Sequence, residues 1–161
     1  MTRREARERA FELLFETDFR ADESSERIYE IATEAREIPK DKYIEEVYFG
    51  VIAHRDELDA MLEKHAKGWK VSRMSRVSRS VLRLAAYEIL FMRKQIPIRV
   101  SINEAIELSK KFDNEKAKGF INGILNAVKN DVMNPEKAEE APAVDTAPAE
   151  AETPAVETTE S

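Results

Sequence analysis

The sequence contains no cysteine, which excludes disulfide bonds and thiolate metal sites and suits a reducing compartment. Helix breakers are scarce, since the 161 residues include only four glycines and six prolines. No apolar run approaches the roughly 20 residues that a membrane-spanning helix needs, and the Arg- and Glu-rich N-terminus contains no hydrophobic signal segment. These absences predict a cytoplasmic protein with long helices and no membrane partner.

Charge is distributed unevenly along the chain, whose formal net charge is −6. Of its 26 basic and 32 acidic residues, one base and eight acids fall in residues 134–161, which gives that segment a charge of −7 and leaves 25 bases and 24 acids in residues 1–133. The segment is otherwise rich in Ala, Pro and Thr and has no aromatic residue, which predicts a disordered acidic tail. We therefore expect the fold in residues 1–133.

Apolar spacing in residues 1–133 is typical of α-helices, and no alternating β-branched run appears. Capping residues predict where the helices start: a capping box at Thr2–Glu5, then Ser24 or Ser25, Asp41, Ser75, a second capping box at Ser101–Glu104, and Asp113 or Asn114. We expect the second helix to end near Ile38 and the third to break near His54 and stop by Gly68. The pattern predicts an all-α fold.

The segment from Val77 to Met92 is apolar almost all round, which is typical of a helix at the centre of a fold. Amphipathic helices precede and follow it. The simplest arrangement is two helical halves, residues 1–67 and 70–133, that share one core. Trp69, at the junction of the halves, is interpreted as a packing anchor.

Basic side chains are concentrated in three places, which indicates a protein that binds a polyanion. The first group, interleaved with Glu5 and Glu8, comprises Arg3, Arg4, Arg7 and Arg9. The second is a stripe at three- or four-residue spacing without an intervening acid: Lys64, Lys67, Lys70, Arg73, Arg76, Arg79 and Arg83. The third surrounds the start of the last helix and comprises Lys110, Lys111, Lys116 and Lys118, with Asn122 on the polar face beyond them.

Each group also has a purely structural interpretation. The N-terminal arginines can pair with neighbouring glutamates, and acids from elsewhere in the fold can neutralise the stripe, with Glu88 a candidate partner for Arg83. Phe120 either belongs to the core or stacks on an unpaired base beside Lys118, as single-stranded RNA is commonly held. The residues alone leave these alternatives open.

Signatures of catalysis are missing from the sequence. It contains no Gly-rich phosphate loop, no H-E-x-x-H motif and no nucleophile elbow. Its two histidines, His54 and His65, are predicted on helix surfaces. We therefore expect no enzyme activity, no cofactor and no metal site.

Several ordered motifs resemble the NusB family of bacterial transcription antitermination factors over residues 2 to about 130. The motifs are Arg3–Glu8, Gly50-Val51, Leu58-Asp59, Trp69 with Arg73-Met74, Leu82–Leu90, Ile96-Pro97, Ile102–Leu108 and Phe120–Leu125. The resemblance implies an all-α fold of two three-helix bundles packed roughly perpendicular to each other.

The resemblance also implies a function. It implies binding to boxA RNA in leader and ribosomal RNA transcripts, as a heterodimer with the ribosomal protein NusE, within RNA polymerase elongation complexes that contain other Nus factors. Together with the basic groups it predicts these RNA-binding residues: Arg3, Arg4, Arg7, Arg76, Lys111, Lys116, Lys118, Phe120 and Asn122. It places the NusE surface at Phe15, Ser78 and Arg79, where Ser78 occupies a position at which the family usually has an acid.

Two other functional classes remain open on the sequence. One is a helical protein–protein adaptor with no RNA role, whose basic stripe would meet an acidic protein. The other is the helical domain of an RNA methyltransferase, although a disordered tail leaves no room for a cofactor-binding α/β domain. A homodimer is also left open.

Overall fold

The computed structural model describes residues 1–134, which form seven α-helices and one short 3₁₀ helix. The α-helices are α1 (Arg3–Phe19), α2 (Ser25–Glu34), α3 (Lys42–Ala53), α4 (Arg55–Lys64), α5 (Arg76–Phe91), α6 (Ile98–Phe112) and α7 (Ala117–Met133), with the 3₁₀ helix at Val71–Arg73. The all-helical prediction is confirmed. No helix within residues 1–134 is long and apolar enough to cross a membrane. The predicted disordered tail covers residues 134–161, and all of it after Asn134 lies outside the described residues.

Side-chain caps start several of these helices where the sequence predicts them. Thr2 Oγ1 accepts a hydrogen bond from the Glu5 amide at 3.0 Å, and the Thr2 amide donates to Glu5 Oε1 at 2.9 Å, which confirms the first capping box. The N-cap side chains of α2, α3 and α5 each accept a bond from a backbone amide three residues on: Ser24, Asp41 and Ser75. His54 separates α3 from α4, as predicted.

Two predicted helix boundaries are wrong. Helix α2 ends at Glu34 instead of near Ile38, because Arg36 adopts a left-handed φ of 62° that a helix cannot continue through. Helix α6 begins at Ile98, one turn before the predicted cap at Ser101. Ser101 is buried inside α6 and its hydroxyl donates to Glu88 in the core at 2.6 Å, so it does not cap the helix.

Helix α5 lies at the centre of the fold and contacts α1, α3, α4, α6 and α7. Its approach to α3 depends on Gly50, since a Cβ there would lie 2.3 Å from Cζ of Tyr87. Buried apolar residues from α1 to α7 form one continuous cluster. The core is therefore shared along the described chain, as expected, while the division into halves at residues 67 and 70 stays a prediction.

Candidate nucleic-acid interface

The first turn of α1 presents two exposed arginines. The guanidinium of Arg3 lies over the ring of Tyr43, 4.6 Å from its centroid. Arg4 forms a bidentate ion pair with Glu104 of α6, with N–O distances of 3.0 and 2.8 Å. The hydrogen bond from Arg4 and the charge of Arg7 lower the pKa of Glu104. Both arginines are thus oriented at the surface by neighbours on other helices.

Arg7 points the other way, into the core. Its side chain is only 3% exposed, and its Nε donates to Glu88 Oε2 at 2.8 Å. Tyr43 and Ser101 also donate hydroxyl hydrogen bonds to the Glu88 carboxylate, which is fully buried. Burial lowers the pKa of Arg7, but Tyr43, Glu88 and Glu104 outweigh it and raise the pKa overall. We name these four residues (Arg7, Tyr43, Glu88 and Ser101) the Glu88 network.

A groove of about 280 Å³ runs between α1 and α6. The ion pair of Arg4 with Glu104 lies at one end, and Lys111 Nζ lies 2.9 Å from Glu8 Oε1 farther along. Exposed Lys110 also lines it and pairs with Glu107 at 3.4 Å. The α1–α6 groove, as we call it, is lined by Arg4, Arg7, Glu8, Glu104, Glu107, Leu108, Lys110 and Lys111. Each wall therefore carries both cations and carboxylates, and oppositely charged side chains pair across the groove.

The turn before α7 places further predicted residues at the surface. Asn114 Oδ1 accepts a hydrogen bond from the Ala117 amide at 3.0 Å and so closes the turn before α7, while the N-cap position itself is Lys116, two residues after the predicted cap. Lys116 is exposed at the helix start, and Lys118 Nζ lies 2.6 Å from Glu115. Asn122 is exposed one turn later.

Phe120 belongs to the core. Its side chain is 2% exposed and meets the ring of Trp69 edge-on at a centroid distance of 6.1 Å. Trp69 is therefore the packing anchor that the sequence indicates. The prediction that Arg7 and Phe120 touch RNA needs correction, because both side chains are enclosed by the protein.

The start of α5 meets the end of α1 around Asp18. Arg79 Nε donates to Asp18 Oδ2 at 2.8 Å, and Arg76 extends its guanidinium over the ring of Phe19 at 5.0 Å. Phe15 is half-buried, whereas Phe19 is 65% exposed. We call this set (Phe15, Asp18, Phe19, Arg76 and Arg79) the α1–α5 joint.

Other sequence expectations near α5 also change. Ser78 is buried and donates to Asp113 Oδ2 at 2.7 Å, so its predicted contact with a partner protein is blocked by its own chain. Arg83 pairs with Asp59, at 2.8 and 2.9 Å, instead of Glu88. Acids of α1 and α4 therefore neutralise the α5 part of the basic stripe. Sequence separation hides such partners, and only the folded arrangement reveals them.

The histidines differ from each other. His54 is a surface residue, as expected, and its ring lies at a tilt against Phe91 with a centroid distance of 4.4 Å. His65 is only 8% exposed and is hydrogen-bonded to Asp131 at 2.9 Å, so its predicted surface position is wrong. Within residues 1–134, no group of three or more His, Cys, Asp or Glu side chains is arranged to hold a metal ion.

Comparisons with known proteins agree with this architecture. The model of the NusB family matches residues 4–130. The transcription antitermination protein NusB of Bacillus subtilis (strain 168) is 42% identical over 132 residues, which cover 82% of this chain and 98% of that protein. These matches identify a non-enzymatic family, as the sequence predicts.

Solved structures show the same fold. NusB of T. maritima superimposes with a TM-score of 0.72 at 38% identity, covering 86% of this chain and 98% of that one. A structure of the antitermination factors NusB and NusE in complex with double-stranded RNA matches with a TM-score of 0.70 at 29% identity, covering 80% and 96%. The chain therefore belongs to the NusB family of transcription antitermination proteins.

Proposed function

We propose that this antitermination factor binds boxA-like single-stranded RNA of leader and ribosomal RNA transcripts in the α1–α6 groove. It does so in the cytoplasm as a heterodimer with NusE, and the pair joins RNA polymerase elongation complexes with other Nus factors. The observation that carries the proposal is the group of exposed cations that line one groove, Arg4, Lys110 and Lys111, with exposed Arg3 next to Arg4 in the first turn of α1. A related NusB has been solved in complex with NusE and double-stranded RNA, which supports an RNA and a NusE partner for this chain.

The groove cations are held by contacts that RNA phosphates can replace. Arg4 and Lys111 are paired with Glu104 and Glu8 at the surface, where ion pairs contribute little net stability. A phosphate offers a guanidinium the same bidentate geometry as a carboxylate. The neighbouring acids also repel a polyanion, so we expect weak binding by the protein alone and tighter binding when NusE adds contacts.

The turn before α7 extends this surface. Lys116 is exposed and forms no ion pair with any residue in the described part of the chain, and Asn122 offers an exposed amide one turn further on. Lys118 can exchange its pairing with Glu115 for a phosphate in the same way as Arg4. The amide of Asn122 can hydrogen-bond a base edge, which phosphate-binding cations cannot do.

The α1–α5 joint is the surface that we propose for NusE. Exposed Phe19 and half-buried Phe15 supply an apolar centre, and Arg76 and Arg79 supply a polar rim, as in typical interfaces. Ser78 is enclosed, but its partner Asp113 places a carboxylate beside it. Arg76 is exposed at the edge of this surface, and we expect it to contact RNA as well.

Titration of labelled RNA tests the proposal. BoxA RNA, a scrambled RNA and a double-stranded boxA duplex are each titrated with the full chain, with and without NusE, over a range of salt concentrations. We expect the heterodimer to prefer single-stranded boxA and to lose affinity steeply with salt, because phosphate contacts release counterions. Equal binding of boxA and scrambled RNA in both mixtures would overturn the proposal and favour the adaptor alternative.

A matched pair of triple variants locates the RNA. Changing Arg3, Arg4 and Lys111 to alanine should weaken boxA binding and lower the slope of log affinity against log salt by about two, since each lost phosphate contact removes about 0.7 for a single strand. The control changes exposed Arg27, Lys40 and Arg55, outside the groove, to alanine with the same change in charge. An equal loss in both variants would reject the groove as the binding site.

A further inference from the structure

Three cations on the connection between α4 and α5 stand apart from the rest of the basic stripe. Lys67, Lys70 and Arg73 are all exposed, and none is within ion-pair distance of an acid among residues 1–134. In contrast, Lys64 pairs with Asp131 at 2.9 Å, and the arginines of α5 pair with acids of α1 and α4. We call Lys67, Lys70 and Arg73 the α4–α5 basic cluster.

The three cations lie within seven residues, on the turn that follows α4 and on the 3₁₀ helix after it. Lys67 and Gly68 both adopt left-handed φ values, of 49° and 87°, which reverse the chain after α4. The nearby acid, Glu63, is occupied in fixing this turn, because its Oε2 accepts a hydrogen bond from the amide of Val71 at 2.8 Å. The mutual repulsion of the three cations therefore stays uncompensated within the described fold.

The end of α7 is fastened next to this turn. Asp131 accepts hydrogen bonds from Lys64 and from buried His65, two residues at the end of α4. These bonds outweigh the effect of burial and lower the pKa of Asp131. The end of α7 is therefore bonded to the two residues that lead into the connection carrying the α4–α5 basic cluster, and the acidic segment follows α7 in the sequence.

We propose that the acidic segment, residues 135–161, binds the α4–α5 basic cluster of its own chain through carboxylate–cation contacts. The segment holds eight acids and one base, Lys137, and thus carries a charge of −7 opposite three cations. Its first acids, Glu136, Glu139 and Glu140, come within six residues of Asn134, and six residues can span up to about 20 Å.

Covalent attachment favours this occupant over a separate polyanion. A tethered group acts at an effective concentration in the millimolar range for a short connection, so weak individual ion pairs suffice for occupancy. Bound in this way, the segment shields the α4–α5 basic cluster from RNA that lacks the correct sequence. This would raise the selectivity of the protein for RNA that binds the α1–α6 groove. The contact itself does not depend on the proposed RNA function.

Zero-length cross-linking of the full chain tests the contact without RNA. A carbodiimide joins a lysine amine to a carboxylate only where the two touch, and peptide mass spectrometry of the monomer band identifies the pairs. We expect adducts between the acids of residues 135–161 and Lys67 or Lys70 at low salt, and their loss in about 1 M salt, where the screening length falls to about 3 Å. Tail adducts spread equally over exposed Lys40 and Lys94 would overturn the proposal.

Heparin, a simple polyanion, provides a second readout. A full-length variant with the eight acids changed to their amides should bind heparin about three- to tenfold more tightly at low salt, as expected when a few surface ion pairs are lost. Adding Lys67→Ala, Lys70→Ala and Arg73→Ala should cancel that gain, whereas Arg93→Ala, Lys94→Ala and Arg99→Ala should leave it. A gain that survives the first triple substitution, or disappears equally in both, would reject the cluster as the docking site.

Discussion

Arg4 and Arg7 lie three residues apart on α1, and both reach Glu104, yet they belong to different parts of the molecule. The side chain of Arg4 is 59% exposed, and that of Arg7 is 3% exposed. Side chains three residues apart on an α-helix point in directions about 60° apart around the helix axis. That angle is enough to place one on the groove wall and the other in the core. One run of arginines can therefore place one side chain on the groove wall and another in the core.

The two environments give the two ion pairs different energetic roles. Arg7 and Glu88 are both removed from water, so loss of Arg7 would leave Glu88 as a buried carboxylate with hydrogen bonds from Tyr43 and Ser101 but no paired cation among residues 1–134. Arg4 can exchange Glu104 for water or for a phosphate. Stability should therefore depend on the Glu88 network, and ligand binding on the rim of the groove.

The largest effect is expected for Arg7→Ala. It leaves the buried carboxylate of Glu88 without its cation and should lower the free energy of unfolding by about 3–5 kcal/mol. Chemical denaturation monitored by circular dichroism measures this loss. A stable Arg7→Ala protein with selectively weakened RNA binding would show instead that Arg7 acts on the ligand.

A matched pair of tyrosine substitutions isolates burial as the cause. Tyr43 donates to buried Glu88, whereas Tyr29 donates to exposed Glu45 at 2.7 Å. Tyr43→Phe should cost about 1–3 kcal/mol of unfolding free energy, and Tyr29→Phe should cost less, because water can replace the lost partner only at the surface. Equal costs for the two variants would contradict the distinction between core and rim.

Much of the fold could be predicted from the sequence, because local signals determine it. Helix starts depend on capping residues a few positions away, here Thr2, Ser24, Asp41 and Ser75. The apolar composition of α5 is likewise visible within one segment of the sequence. The predicted start of α6 was wrong because the Ser101 hydroxyl can either cap a helix or donate to a buried acceptor. The buried Glu88 carboxylate, thirteen residues earlier, competed successfully for it.

The site was less predictable, since burial depends on distant partners. Arg3, Arg4, Lys111, Lys116 and Asn122 lie at the surface as predicted, although their contact with RNA stays a prediction. The sequence did not predict that Glu104 and Glu107 of α6 line the same groove as Glu8 of α1. The exposed position of Phe19 was also not predicted, although a large aromatic residue at the polar end of α1 could have indicated a binding surface.

Arg4→Ala should lower RNA affinity with little effect on stability. Arg4 is on the surface, so we expect a change in unfolding free energy far below that of Arg7→Ala. Affinity of the NusE heterodimer for boxA RNA should nevertheless fall, with a salt slope smaller by about 0.7 if one phosphate contact is lost. Arg27→Ala, which removes a surface ion pair on α2, is the control for a charge effect alone. Unchanged RNA affinity in Arg4→Ala would place the ligand elsewhere.

The smallest effect concerns the pH dependence of the carboxylate that both arginines share. The pKa of Glu104 is lowered in the folded protein, first by the hydrogen bond from Arg4 and further by the charge of Arg7. A lowered folded pKa contributes stability above the unfolded pKa of about 4.3, and this contribution is lost as the pH falls through the folded value. Glu104→Gln should therefore be less stable than the natural chain at pH 6, and the difference should shrink toward pH 3. Because Arg7 reaches Glu104 from the core side, the effect should exceed that of Glu115→Gln, whose carboxylate pairs only with surface cations. Equal pH profiles for the two variants would show that the groove wall gains nothing from its connection to the Glu88 network.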